Sequence, residues 1–412
     1  MPEPLAATVV AIFALVYCGM FLGGLPFLQL DRTGVALLGA IAIVAFGVLT
    51  PEEAARSIHL PTLLLLFSFM VISAQMRLGG FYGWVTRRIA ALPLAPAALL
   101  AAVIGVAAAL SAVFSNDVVC LAVAPVLIEG CRRRGLDPVP YLLGLACAAN
   151  VGSAATLIGN PQNMLIGQVL GVDFGAYLAI AAVPVLAGLA ATWAVIAWQA
   201  RGRWRRPLPE TGAPERREEE PALDRWQSAK GLAVAGALLA VFLFTDWPRE
   251  VAALTGAGLL LMSRKLHSNK MLGLVDWELL ILFIGLFVVN HALERTGLTA
   301  AVIARLAELG VPLAEPAPLF LATLVLSNAV SNVPAVMLLL PAATGPIAGP
   351  LLALVSTFAG NLLIVGSIAN MIVIAAAARQ GIRVDWRSHA RAGVPVTAAT
   401  LAIAAAWLGL LA

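Results

Sequence analysis

Apolar runs of about 20 residues recur from one end of this chain to the other, and they limit its fold more than any other feature. Leu5–Phe27, Ala176–Trp198 and Gly393–Leu411 are three of them. A helix rises about 1.5 Å per residue, so ~20 apolar residues cross a hydrocarbon layer of ~30 Å. Composition points the same way: 61% of residues are hydrophobic and only 12% are charged. Soluble domains carry about 25% charged residues. The strands of a membrane barrel would alternate polar and apolar residues, and these runs do not. The sequence reads as an all-α polytopic membrane protein. Its first apolar run lacks a basic flank and a small-residue cleavage site, so it is expected to be retained.

One strongly polar interruption, RGRWRRPLPETGAPERREEEPALDRW (Arg201–Trp226), reads as a solvated linker and divides the chain into near-equal parts. The expected organisation is a first repeat over 1–200, a cytoplasmic linker over 201–228 and a second repeat over 229–412. Three polar landmarks recur in the same order in both parts. LSAVFSNDVVCLAVAP (Leu110–Pro125) aligns without gaps on LSNAVSNVPAVMLLLP (Leu326–Pro341) at an offset of 216, with five identities that include the Ser-Asn pair. LLLLFSFMVISAQMRLGG (Leu63–Gly80) matches LLILFIGLFVVNHALERTG (Leu279–Gly297), and LIGNPQNMLI (Leu157–Ile166) matches IVGSIANMIV (Ile364–Val373).

Lys and Arg placement sets the expected orientation. If the stretch around Ser115–Asp117 turns back toward the cytoplasm, 22 of the 26 basic residues fall in cytoplasmic loops. Only Arg56, Arg249, Arg295 and Arg305 lie outside. The net charge of +4 then follows from topology and calls for no nucleic-acid partner. The second hairpin, with Ser331 and Asn332 near its tip, opens to the other side. The expectation is two inverted repeats, each of about five transmembrane helices plus one re-entrant hairpin and a broken helix, the signature of a secondary transporter. GFYGWVTRRIAAL and LTAAVIARLAEL, before each hairpin, read as interfacial amphipathic helices or as ordinary loop helices.

Four places interrupt the apolar helices with Gly, Asn, Ser, Thr or Pro. They are Ser115–Asp117, ANVGSAATLIGNPQN (Ala149–Asn163), Ser331–Asn332 and STFAGNLLIVGSIAN (Ser356–Asn370). Irregular backbone at membrane depth persists only where it lines a cavity or is buried in protein. The candidate substrate- and ion-binding residues are therefore Ser115, Asn116, Asp117, Asn150, Gly152, Ser153, Thr156, Gly159, Asn160 and Asn163 from the first repeat. Ser331, Asn332, Thr357, Asn361, Gly366, Ser367 and Asn370 come from the second. Each Ser-Asn pair is expected to cap the second helix of its hairpin. Two helix N-termini converging from opposite sides suit an oxyanion. The side chains of Asn116 and Asn332 with freed carbonyls would instead suit sodium. Against this stands the plain role of polar residues in membrane helices, hydrogen bonding to a neighbouring helix.

Asp117 differs in kind. It is the one carboxylate expected near mid-membrane, because Glu129 sits beside Arg132–Arg134 and reaches the interface. An intramembrane carboxylate is functional by default, and Asp117 is the candidate proton-coupling residue. Its repeat partner is Val333, so the shared architecture does not require it. A cap or local structural role is the alternative. His291 is expected near an interface, and Pro125, Pro334 and Pro341 are expected to shape helices. Most tryptophans fall at expected interfaces. The four scattered cysteines indicate neither a disulfide framework nor a metal cluster, and no HExxH, P-loop or GxSxG motif supports an enzyme.

At these hairpin and broken-helix residues the chain resembles the ion transporter superfamily, which includes divalent anion/sodium symporters, citrate transporters, arsenite-efflux permeases and a sodium/proton antiporter family. The resemblance implies a scaffold, a mobile transport domain, a homodimer and elevator-type alternating access. It assigns Ser115, Asn116 and Asn150–Ser153 to one half-site, and Ser331, Asn332 and Thr357–Asn361 to the other. Symporter tips read Ser-Asn-Thr, whereas here the third residue is Asp117 or Val333. FSND and TLIGNPQN look closer to the arsenite-permease and antiporter branch. The expected function is proton-coupled transport of a small inorganic anion or arsenite-like solute across the cytoplasmic membrane, with no cofactor. A sodium/proton antiporter is the alternative and a sodium-coupled dicarboxylate or citrate symporter the further one.

Overall fold

The structure, a computed structural model, describes residues 3–25, 28–205 and 221–411. Residues 206–220, the centre of the expected linker, lie outside the described residues. The fold is all-α apart from one short antiparallel pair, β1 (Gly24–Leu25) with β2 (Leu30–Asp31).

Ten helices form each half, in the same order. The first half runs α1 (Glu3–Leu22), α2 (Arg32–Ala45), α3 (Pro51–Ser57), α4 (Leu60–Leu78), α5 (Phe81–Ala90), α6 (Pro96–Val113), α7 (Asn116–Arg133), α8 (Pro138–Ser153), α9 (Pro161–Val169) and α10 (Phe174–Gln199). The second runs α11 (Arg225–Phe244), α12 (Arg249–Leu261), α13 (Ser268–Leu272), α14 (Trp277–Arg295), α15 (Leu298–Glu308), α16 (Pro316–Val330), α17 (Asn332–Leu339), α18 (Ala348–Ala359), α19 (Ile368–Arg379) and α20 (Trp386–Leu411). Local chemistry sets the boundaries. Asp31, Asp173, Asp224 and Asp276 each precede a helix and accept a backbone N–H of its first turn. Proline opens α3, α6, α8, α9 and α16, where its missing N–H is harmless. Asp224 starts α11 at Arg225, inside the stretch read from sequence as linker.

Among the described residues seven helices, α1, α4, α6, α10, α11, α14 and α20, are long and apolar enough to cross a membrane. In repeat order, α1, α2, α4, the broken pair α8–α9 and α10 occupy the positions of the five spans expected of the first half, α1, α4 and α10 having the length to cross alone. In the second half the same positions are held by α11, α12, α14, α18–α19 and α20, of which α11, α14 and α20 have that length. The remaining pairs, α6–α7 and α16–α17, are the hairpins, and α5 and α15 are the short helices before them. The hairpins differ in their returning arms. Pro125 sits inside the 18-residue α7, whereas its counterpart Pro341 lies in a 3₁₀ turn, Leu340–Ala342, that ends the 8-residue α17. The six residues after Pro341, AATGPI, include Gly345 and Pro346, and the next helix, α18, begins at Ala348.

The packing is reciprocal. α4 packs on α11 and α12, and α14 packs on α1 and α2. α7 packs on α8 and α19, and α17 on α18 and α9. Exchanging the repeats turns each contact into its partner, as a pseudo-two-fold relation requires, while α8–α18 and α10–α20 map onto themselves. Around this axis α8 and α18 are buried along nearly their whole lengths.

Candidate functional site

Both hairpin tips end against the broken helices. Ser115 stands at the N-cap of α7 and Ser331 at that of α17, but neither hydroxyl caps its helix. The expected side-chain caps are therefore not formed. In the first tip the Asn116 N–H instead donates to the Gly159 carbonyl across the break, at 3.4 Å. Gly159 is needed for this approach, since a Cβ there would overlap the Ser153 carbonyl. Gly152 likewise lets α8 lie directly on Ala108 of α6. The second tip is laid on the second break: Asn332 faces Gly360, and Oδ1 of Asn328 faces Gly366. Ser331 has φ 77°, the one positive φ outside glycine among the described residues.

At the centre, Asn150 uses all four of its hydrogen-bonding valences. Its Oδ1 accepts from Asn116 Nδ2 at 3.1 Å and from Ser367 Oγ at 2.8 Å. Its Nδ2 donates to Asn361 Oδ1 at 2.8 Å and to Asn370 Oδ1 at 3.2 Å. An amide offers two acceptor and two donor sites, so this side chain is saturated. It ties the first hairpin tip and first broken helix to the second broken helix. Asn116, Asn150, Asn361, Ser367 and Asn370 are all buried.

A second group repeats this one across the axis. Written over one another, ANVGSAATLIGNPQN (149–163) and STFAGNLLIVGSIAN (356–370) pair Asn150 with Thr357, Thr156 with Leu363, Asn160 with Ser367 and Asn163 with Asn370. The bond from Ser367 to Asn150 is matched by one from Asn160 Nδ2 to Thr357 Oγ1 at 3.3 Å. That from Asn150 to Asn370 is matched by one from Thr357 Oγ1 to Asn163 Oδ1 at 3.5 Å. Asn370 donates to the Leu363 carbonyl as Asn163 donates to that of Thr156. Asn160 also donates to Ser153 Oγ and caps α9 through the Asn163 N–H, and Thr156 Oγ1 donates to the Ala112 carbonyl.

These bonds leave a surplus. Oδ1 of Asn116, Asn328 and Asn332, Oγ of Ser111 and Ser327, and Nδ2 of Asn361 are buried atoms without a hydrogen-bond partner among the described residues. Two of these pairs, Asn116 with Asn332 and Ser111 with Ser327, are repeat counterparts. Asp117 lies one residue beyond Asn116, in the first turn of α7, half-buried and outside every hydrogen bond and ion pair among the described residues. The structure thus brings Asn116 and the Asn, Ser and Thr side chains of the two breaks together, with Gly152, Gly159 and Gly366 as points of close approach, while Ser115, Asp117 and Ser331 make no side-chain hydrogen bond to them among the described residues.

Four further residues were not singled out from the sequence. Gln162 donates to Thr357, Tyr177 donates to the Ala154 carbonyl, the His389 ring contacts the Asn361 carbonyl, and Asn328 faces Gly366. Gln162 and Asn328 stood beside quoted motif residues and could have been found by their repeat context. Tyr177 and His389 lie in the first turn of a long helix, where an aromatic side chain reads as interfacial.

The fold and this centre define an all-α multi-pass membrane protein built on two repeats, and its family and relatives make it a transport protein rather than an enzyme. The chain belongs to the citrate transporter family (CitMHS), whose profile matches residues 9–359. It is 29% identical to an uncharacterized transporter of Mycobacterium tuberculosis over 95% of this chain and 97% of the relative. It is also 29% identical to the silicon efflux transporter LSI3 of Oryza sativa subsp. japonica over 93% of each. A putative transporter arsB of Dictyostelium discoideum is 30% identical over 39% of this chain and 29% of its own length. Among solved structures, the YdaH transporter of Alcanivorax borkumensis has the same fold, with TM-score 0.55, 14% identity and 98% of each chain covered.

Proposed function

We propose that this chain is a proton-coupled secondary active transporter that moves a small inorganic anion or arsenite-like solute across the cytoplasmic membrane by elevator-type alternating access. The observation that carries this reading is the saturated Asn150 side chain, which joins one hairpin tip and both broken helices, with Asp117 next to Asn116 in the first turn behind that tip. Amide oxygens and hydroxyls accept from the O–H groups of a neutral oxyacid. The Asn361 amide and the N-termini of α7 and α17 favour an anion. The kinship with a silicon efflux transporter and an arsB-like transporter supports a solute of this size. Asp117, free of a fixed partner, is suited to take up and release a proton during the cycle. The imbalance of basic residues places the linker in the cytoplasm, and the superfamily resemblance favours a homodimer.

A second reading rests on the paired oxygens of Asn116 and Asn332. Two equivalent amide oxygens without donors suit sodium, and would make this a sodium/proton antiporter. The family description names citrate and so supports a third, a citrate or dicarboxylate symporter, for which the superfamily resemblance suggests sodium as the coupling ion. Proteoliposomes containing a pH-sensitive dye and challenged in turn with arsenite, silicate, sulfate, citrate and sodium separate the three. Proton flux driven by arsenite or silicate, and abolished in Asp117→Asn, is the expected result. Undiminished coupling in that variant would remove Asp117 from the mechanism, and sodium-dependent citrate uptake would replace the first reading by the third.

A further inference from the structure

The last helix of each repeat holds the break of its own repeat through one side chain. In the first, the Tyr177 hydroxyl donates to the Ala154 carbonyl. In the second, His389 Nε2 lies 3.1 Å from the Asn361 carbonyl. The two are the same contact made twice. VDFGAY (172–177) aligns on VDWRSH (384–389), with Asp173 accepting the Ala176 N–H and Asp385 the Ser388 N–H. Ala154 and Asn361 are counterparts in the alignment of the breaks. Both side chains are buried.

The chemistry of the second contact is settled by its partner. A carbonyl only accepts, so Nε2 carries a hydrogen, and Nδ1 is buried without a partner among the described residues. The carbonyl is freed because α18 stops at Ala359. One turn further along α20, Gly393 makes room for it, since a Cβ there would overlap the Asn361 oxygen. The helices packed on α20, namely α8, α10 and α18, carry no Asp, Glu, Lys or Arg, and their ionisable side chains are Tyr141, Cys147 and Tyr177. The charges near His389 in sequence are Asp385, Arg387 and Arg391. His389 therefore works as a neutral donor. Asn361 gives its Oδ1 to Asn150, while its Nδ2 has no acceptor among the described residues. Fixing the Asn361 backbone fixes the direction of that amide.

We propose that His389 is a positioning residue of the transport centre, the donor that holds the second break so that Asn361 meets Asn150 and presents its free amide N–H to the solute. The proposal rests on the Asn150 cluster being the transport centre. His389→Leu removes the donor, His389→Gln keeps an N–H at similar reach, and His389→Tyr installs the group used by the first repeat. In proteoliposomes supplied with arsenite or silicate, His389→Leu is expected to raise KM by roughly 5- to 10-fold, the effect of one hydrogen bond, with Vmax within about twofold. His389→Gln is expected to restore KM. Wild-type KM in the folded leucine variant, or no rescue by glutamine, would overturn the proposal. ¹⁵N-histidine spectra of the full chain supply a readout that needs no solute, since there are only four histidines and His389→Gln identifies the signal. The Nε2–H form with bare Nδ1 is expected at pH 7; the Nδ1–H form or an imidazolium would sink the idea. If neither probe is transported, the reading of the solute fails, and this spectrum still decides the role of His389. If the leucine variant does not fold, retained KM in His389→Tyr supports the role and a tenfold rise opposes it.

Discussion

Ser331 carries backbone strain at the tip of the second hairpin. Its φ of 77° and ψ of 162° lie in a region that is essentially reserved for glycine, and such a residue costs on the order of 1–3 kcal/mol. Ser115, its counterpart, has φ −54° and ψ 126° and is unstrained. The strain is therefore not demanded by the hairpin as such. It belongs to the tip that ends in the short α17 and is laid against Gly360 and Gly366. Ser331→Gly should relieve it and raise the thermal unfolding midpoint in detergent, since glycine tolerates this conformation. Transport should fall, because the hydroxyl at the tip is lost while Asn332 stays. A midpoint that stays level or drops would show that the serine side chain stabilises the tip by more than the backbone costs.

At the level of elements, the helix ends are set by polar side chains, several of them carboxylates, and the cap of α3 is one whose pH dependence can be followed. Thr50 and Glu53 form a capping box at the start of α3, with Glu53 Oε2 accepting the Thr50 N–H at 2.9 Å and Oε1 accepting from Arg295 at 2.9 Å. The Thr50 backbone hydrogen bond and then Arg295 hold the Glu53 carboxyl below the usual carboxylate range. A depressed folded value means the stabilisation is complete above the unfolded value, about 4.3, and is lost as pH falls through the folded one. Glu53→Gln should therefore lower the unfolding midpoint near pH 7, and the gap from wild type should close below about pH 4. A gap that persists there would assign the effect to packing on α14. The same local chemistry explains what could be read in advance. Polar residues within apolar runs have few uses, so the Ser-Asn tips, the Gly/Asn breaks and the short helices α5 and α15 were legible. The missing serine caps were not, because the first tip is held by a contact distant in sequence, the Asn116 N–H on the carbonyl of Gly159, 43 residues away. Nor was the shortened α17, which stops at Leu339, so that the proline matching Pro125 of α7 falls in the 3₁₀ turn after it.

For the whole molecule, the pseudo-two-fold relation reaches individual bonds. The contacts of Asn150 and Thr357, the amides of Asn163 and Asn370, and the anchors from Tyr177 and His389 each occur as a matched pair, although the paired side chains are mostly different residues. That is why letter-by-letter comparison of the repeats found only a few polar landmarks: what recurs is a donor or acceptor at a position, and Thr replaces Asn, or His replaces Tyr, without changing it. A two-fold axis in the membrane plane also makes a claim about sides. It puts the turn after α7 and the loop before α16 on opposite faces, as does the placement of the basic residues. Arg133 and Glu315 are both exposed, so each can be replaced by cysteine once exposed Cys18 has been replaced by serine. In intact cells a membrane-impermeant maleimide should label Glu315→Cys and leave Arg133→Cys unmodified until the membrane is opened. The other three native cysteines are buried and should contribute little background. Labelling of both positions from the same side would exclude the inverted arrangement, and with it a centre assembled from hairpins that enter from opposite faces.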